Sequence, residues 1–149
     1  MAEAESMSNQ HEGGCQCGEV RYRVSGQPFK TMACHCTTCK LRTGAAYGIG
    51  VYYEQANIEL LQGDMSKYRF HSDTSGRWMQ NEFCTQCGTT VIWSFEMRPG
   101  VIGIAGGSFD DPNWFDIEAH IWARSARSDM RYPDGMLVCE TVFQEPETA

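Results

Sequence analysis

Along the chain, apolar positions recur in short runs with a period of two, and glycine or polar turns separate the runs. In Glu19-Val20-Arg21-Tyr22-Arg23-Val24, the residues Val20, Tyr22 and Val24 fall on one face and the charged side chains on the other. That is the pattern of a strand with one buried face. Comparable runs cover 46–53, 58–61, 67–71, 89–95, 101–105, 116–122 and 137–143. No stretch of ten or more residues carries a helical period, and a short helical turn is expected only around 36–41. Fifteen glycines spread among the runs supply the turns. The predicted class is mainly β, a sandwich of short antiparallel strands.

A chain of 149 residues with 42% apolar and 21% charged positions can bury a core of its own as one domain. That domain is expected over 13–143, between polar tails at 1–12 and 144–149. The formal net charge of −7, with no cluster of lysine and arginine, disfavours nucleic acid and anionic membranes as partners. The first residues lack the basic start and apolar stretch of a secretory signal, and no run is long enough to span a bilayer. A cytoplasmic location is therefore expected. In that reducing compartment clustered cysteines bind metal more often than they pair as disulfides.

Seven of the eight cysteines stand in three groups: Cys15-x-Cys17-Gly18, Cys34-His35-Cys36-x-x-Cys39 and Cys84-x-x-Cys87-Gly88. A C-x-x-C knuckle turns two sulfurs toward one point, and a C-x-C pair in a strand projects both to one side. Both suit tetrahedral zinc. Joining the two pairs gives a closed four-sulfur site, Cys15, Cys17, Cys84 and Cys87, and leaves Cys34, Cys36 and Cys39 as a three-sulfur site with an open position. This partition keeps each contiguous motif on one ion. That favours it over a second partition, Cys15, Cys17, Cys34 and Cys36 against Cys39, Cys84 and Cys87, which spacing alone leaves open. An iron–sulfur cluster could also use four thiolates. Arg21, Arg23, Lys40 and Arg42 stand near the clusters in sequence and can offset their charge.

The segments GGCQCGEVRY (13–22), CHCTTCKLRTGA (34–45) and FCTQCGT (83–89), with the later His120-Ile121-Trp122, resemble the glutathione-dependent formaldehyde-activating enzyme family. The similarity extends to centromere protein V and to Mss4-like interaction modules. It implies an Mss4-like β fold, a structural zinc on Cys15, Cys17, Cys84 and Cys87, and a second, catalytic zinc on Cys34, Cys36 and Cys39. It also implies a carbon–sulfur lyase-type reaction in which glutathione and formaldehyde form S-hydroxymethylglutathione. A non-catalytic, zinc-dependent glutathione-binding or protein-interaction module is the alternative. The chain departs from the family in 124–135, where a tryptophan is missing and Met130 lies nearby.

Backbone N–H groups of Thr43, Gly44 and Ala45, directly after the triplet, are candidates to meet a carboxylate of the bound thiol. His35 alternates with ligands on both sides, so its ring is expected beside the metal and not on it. His120 is expected to be packed and hydrogen-bonded, and His11 and His71 to be solvated. Trp78, Trp93, Trp114 and Trp122 are expected in the core. Cys139 is expected as a buried strand residue.

Overall fold

The computed structural model describes residues 9–73 and 75–146. Alternation in the second strand sets the frame. In β2 (Arg21–Ser25), Tyr22 and Val24 are buried while Arg21 and Arg23 point outward. β2 lies between β1 (Gln10–Gly14) and β5 (Ile58–Gln62) in a three-stranded antiparallel sheet. β1 takes in residues 10–12, which the sequence places in a tail; its polar side chains gave no apolar period, and its ladder to Arg23–Ser25 supplies the order instead. Residues 1–8 and 147–149 of the expected tails lie outside the described residues.

The larger sheet has eight strands: β3 (Lys30–Cys34), β4 (Gly48–Glu54), β6 (Met65–His71), β7 (Trp78–Cys84), β8 (Thr90–Phe95), β9 (Val101–Ala105), β10 (Ala119–Ile121) and β11 (Leu137–Val138). Their spatial order is β11-β10-β3-β4-β9-β8-β7-β6. The pairings β3 with β10 and β10 with β11 are parallel, so the sheet is mixed and not wholly antiparallel as predicted. The 13 residues between β9 and β10 make this possible, because a parallel return needs a crossover of about a dozen residues. One helix, α1 (Thr37–Thr43), follows β3 where a helical turn was expected.

The two sheets close over one core. Val20, Tyr22 and Val24 meet Val51 and Tyr53 of β4, Val91 of β8, Ile102 and Ile104 of β9, and Phe109. Register decides what the opposite face of the large sheet carries. Cys34 pairs with Gly48, Met32 with Gly50, Tyr52 with Gly103, and Gly103 with Trp93. Side chains of paired residues share a face. Cys34 and Met32 therefore lie on the side of Tyr52 and Trp93, away from the principal core. A second apolar cluster forms there from Cys34, Ile121 and Cys139, with Met32, Leu137 and Phe143 against it. No described helix is long and apolar enough to cross a membrane.

Candidate functional site

Both cysteine clusters lie where strands of the two sheets end. Cys15 and Cys17 follow β1, Cys84 closes β7, and Cys87 stands on the turn before β8. Gly18 and Gly88 take positive φ values of 85° and 79°, which lets each turn fold back behind its cysteine pair. The sulfurs of Cys15, Cys17, Cys84 and Cys87 all lie within 4.8 Å of one another. The Cys15–Cys17 and Cys17–Cys84 separations are 3.6 and 3.7 Å. Four sulfurs placed tetrahedrally at about 2.3 Å from an ion are about 3.8 Å apart, so this group fits zinc. Peptide N–H groups point at the sulfurs: Val20 donates to Cys15 Sγ at 3.2 Å, and Gln86 and Cys87 donate to Cys84 Sγ at 3.3 and 3.4 Å. Such donors stabilise thiolates. Thr89 Oγ1 lies 3.2 Å from Cys87 Sγ, and this hydrogen bond brings the Cys87 thiol down to about 5.

The second group is Cys34, Cys36 and Cys39, whose sulfurs also lie within 4.8 Å of one another. Of the two partitions open to the sequence, the structure assembles the one that keeps each motif whole. Cys34 ends β3, Cys36 caps α1, and Cys39 sits in the first turn of that helix. The Cys39 N–H donates to Cys36 Sγ at 3.4 Å. Left to themselves the three thiols compete for protons. Hydrogen bonds from Cys34 and Cys39 pull the Cys36 thiol down to about 2, while donation to Cys36 pushes Cys34 far above the usual thiol range. A divalent cation removes that competition by taking all three as thiolates, so the donor set fits zinc here as well.

The segment between these ligands carries a feature that spacing did not reveal. His35 is fully buried, its Nε2 lies 2.9 Å from His120 Nδ1, and its backbone N–H donates to Ile121 O at 3.0 Å. Tyr47 and Tyr132 pack against both imidazoles. Burial lowers the pKa of each histidine. The rings come together because β10 runs parallel beside β3, with His120 paired to Ala33. Lys40 Nζ donates to Ser125 O at 2.6 Å and ties α1 to the segment after β10.

A cavity of about 670 Å³ opens beside the four-sulfur group; none of the triplet cysteines lines it, but Arg42 and Thr43 of the helix that carries Cys39 do. Its wall includes Cys15, Arg42, Thr43, Tyr47, Gly48 and Gly106. Of the three residues expected to meet a carboxylate, Thr43 lines this cavity. Gly44 and Ala45 do not, and their N–H groups are already engaged, with Lys40 O at 2.8 Å and Thr43 Oγ1 at 3.1 Å. No residue of the divergent segment 124–135 lines the cavity, and Tyr132 packs against the histidine pair instead.

Among the remaining candidates, Cys139 is buried against Cys34 and Ile121, just beyond β11. His11 stacks on Trp114 at 3.7 Å, which corrects its expected solvation, and His71 is exposed at the end of β6. Trp93 is buried, whereas Trp78, Trp114 and Trp122 are half-buried.

A family model described as glutathione-dependent formaldehyde-activating enzyme matches residues 10–125. A protein of Halomonas elongata named "Putative glutathione-dependent formaldehyde-activating enzyme" is 28% identical over 126 residues, which cover 82% of this chain and 69% of that protein. A crystal structure of a Rhodobacter sphaeroides protein superposes with a TM-score of 0.52 at 18% identity, covering 86% of this chain and 98% of the other. At that identity the match speaks to the fold alone.

Proposed function

Because the chain belongs to the glutathione-dependent formaldehyde-activating enzyme family, we propose that it joins glutathione, or a related thiol, reversibly to formaldehyde or another small aldehyde, as a zinc-dependent carbon–sulfur lyase. The observation that carries the reading is the contrast between the two cysteine groups. One brings four sulfurs together and the other three, and a cavity lined by Cys15 and by Arg42 and Thr43 of the triplet's helix opens nearby. Four thiolates complete a tetrahedral shell, so Cys15, Cys17, Cys84 and Cys87 hold a structural ion that fixes β1 to β7. Three leave one position for a reactant.

Zinc at Cys34, Cys36 and Cys39 supplies a Lewis acid and favours the ionised form of a thiol beside it. The reaction asks little else of the chain. The thiol sulfur adds to the aldehyde carbon, the π electrons move to the carbonyl oxygen, and the thiol proton ends on that oxygen. No oxidant or reductant enters. The protein's own contribution is to bind and orient. The cavity falls within the range of about 300–1,000 Å³ usual for small-molecule sites, room enough for a tripeptide thiol. Thr43, on the helix that also carries Cys39, and Tyr47 form part of its wall, and of the turn 43–45 only Thr43 is placed to meet a thiol's carboxylate. Tyr47 also packs against both imidazoles of the buried histidine pair.

Exchange spectroscopy on a mixture of glutathione and formaldehyde tests the reading, because it measures adduct formation at equilibrium with and without protein. Zinc-loaded protein is expected to accelerate exchange, and Cys36→Ser to abolish the acceleration while one zinc equivalent stays bound. Exchange at the uncatalysed rate with both sites loaded leaves binding without catalysis and overturns the lyase assignment.

A further inference from the structure

Arg42 stands three residues after Cys39 in the last turn of α1. Its guanidinium carbon lies 3.8 Å from the Trp93 ring centroid, and its Nη2 is buried without a hydrogen-bond partner among the described residues. An unpaired buried donor on a charged group is costly, so a site built around one is built for something that accepts from it. The second cation at the cavity differs. Arg21 is already engaged by Asp110, with Nη1 donating to Oδ1 at 2.9 Å.

The sheet beneath Arg42 has been cleared to seat it. A Cβ on Gly48 would fall 2.5 Å from Arg42 Nη2, one on Gly103 would fall 2.4 Å from Trp93 Nε1, and one on Gly50 would fall 2.7 Å from the Tyr52 hydroxyl. None of the three glycines has the positive φ that would explain it by backbone conformation. Space is the common reason. The same Cβ position on Gly48 lies 3.4 Å from Cys39 Cβ, so the unpartnered donor and the Cys39 side chain flank one cleared point without a hydrogen bond between them.

We infer that Arg42 is a positioning residue for the three-sulfur centre: seated on Trp93, it holds a fixed positive charge and an uncommitted N–H donor near Cys39, and these help keep the centre's ion in place. The inference rests on the zinc reading of the triplet. Three thiolates around a dication leave one negative charge, and a fourth thiolate from a reactant makes two. A guanidinium held beside them offsets that build-up without occupying the open position. Arginine suits the place better than lysine, because its planar head can lie on the indole and still present N–H groups sideways. The four-sulfur centre has peptide donors at Cys15 and Cys84, whereas the triplet has one at Cys36.

The test is a chelator titration of the zinc-loaded full chain, repeated on cobalt-loaded protein, whose absorption distinguishes three-sulfur from four-sulfur coordination. Arg42→Met is expected to release the triplet ion at about ten- to hundredfold lower chelator concentration, leaving the four-sulfur centre unchanged. Arg42→Lys is expected to recover part of the loss. Gly48→Ala keeps the charge but displaces the guanidinium, and is expected to behave like Arg42→Met. Triplet affinity in Arg42→Met equal to wild type overturns the inference, and so does an equal loss at both centres, which marks a merely structural stack. Wild-type protein that takes up a single equivalent overturns the functional reading and this inference together, whereas two equivalents held equally well by Arg42→Met overturn the inference alone.

Discussion

His35 Nε2 and His120 Nδ1 lie 2.9 Å apart, a buried hydrogen bond between two neutral imidazoles that are 85 residues apart in the chain. One ring must donate and the other accept, so the pair fixes complementary tautomers. It anchors the loop that carries Cys34 and Cys36 to β10. His120→Ala strands His35 Nε2 in a site without solvent. We expect it to cost about 1–3 kcal/mol in urea denaturation, the usual penalty for a buried group left unpaired.

The same pair sets a pH dependence. Burial lowers both pKa values, so the unfolded chain takes up these protons at a higher pH than the folded one. Stability from the pair is fully present above the unfolded histidine value of about 6.5 and is lost as pH falls toward the lowered folded values. Metal release also destabilises the protein in acid, so the informative quantity is the difference between wild type and His120→Ala. That difference is expected to shrink between pH 7.5 and pH 5.5, and a constant difference would rule the pair out as its source.

The two cysteine groups are expected to fail differently. Cys84 is buried in the principal core, whereas Cys36 caps α1 on the opposite face of the sheet. Cys84→Ser should remove one zinc equivalent and lower the thermal midpoint sharply, since structural zinc binding is itself folding free energy. Cys36→Ser should remove one equivalent with a much smaller fall. Metal analysis alongside calorimetry on both variants checks this, and equal falls would contradict the division into structural and open sites.

Gly103→Ala should destabilise by about 1–3 kcal/mol, the range for overpacking, because the new methyl meets the edge of Trp93 at 2.4 Å. Gly107→Ala supplies the control. A Cβ there meets nothing within 4 Å, and a change within about 0.5 kcal/mol is expected by the same measurement.

Tyr22 is 1% exposed, and its hydroxyl lies 2.7 Å from Ser108 Oγ, linking β2 to the turn after β9. Tyr22→Phe keeps the ring that packs edge-on to Phe109 and removes only this bond. The expected loss is about 0.5–1.5 kcal/mol. A larger loss would mean that the ring itself had moved, which near-ultraviolet circular dichroism would detect.

Much of the fold could be read locally. The run 101–105 coincides with β9, 58–61 falls within β5, and the alternation of Val20, Tyr22 and Val24 names the buried face of the first core strand. Three strands had no such signal. β1 is polar throughout, β3 mixes lysine and threonine with small apolar residues, and β7 is half-buried along most of its length. Each is held chiefly by its neighbours' ladders, and a ladder leaves no mark on the side-chain pattern. The run 137–143 shrank to the two residues of β11, because only Leu137 and Val138 find a partner strand.

For the site, the sequence by itself determined the ligand inventory: three cysteine groups at knuckle spacing, each with its turn glycine or helix start, because those relationships span a few residues of backbone. Tertiary structure alone decided which groups meet. Cys17 reaches Cys84 across 67 residues, His35 reaches His120 across 85, and Arg42 finds Trp93 through a floor cleared by glycines on two strands. Those contacts follow from strand order and from a parallel return of β10, and periodicity within a segment carries no information about which strand lies beside it.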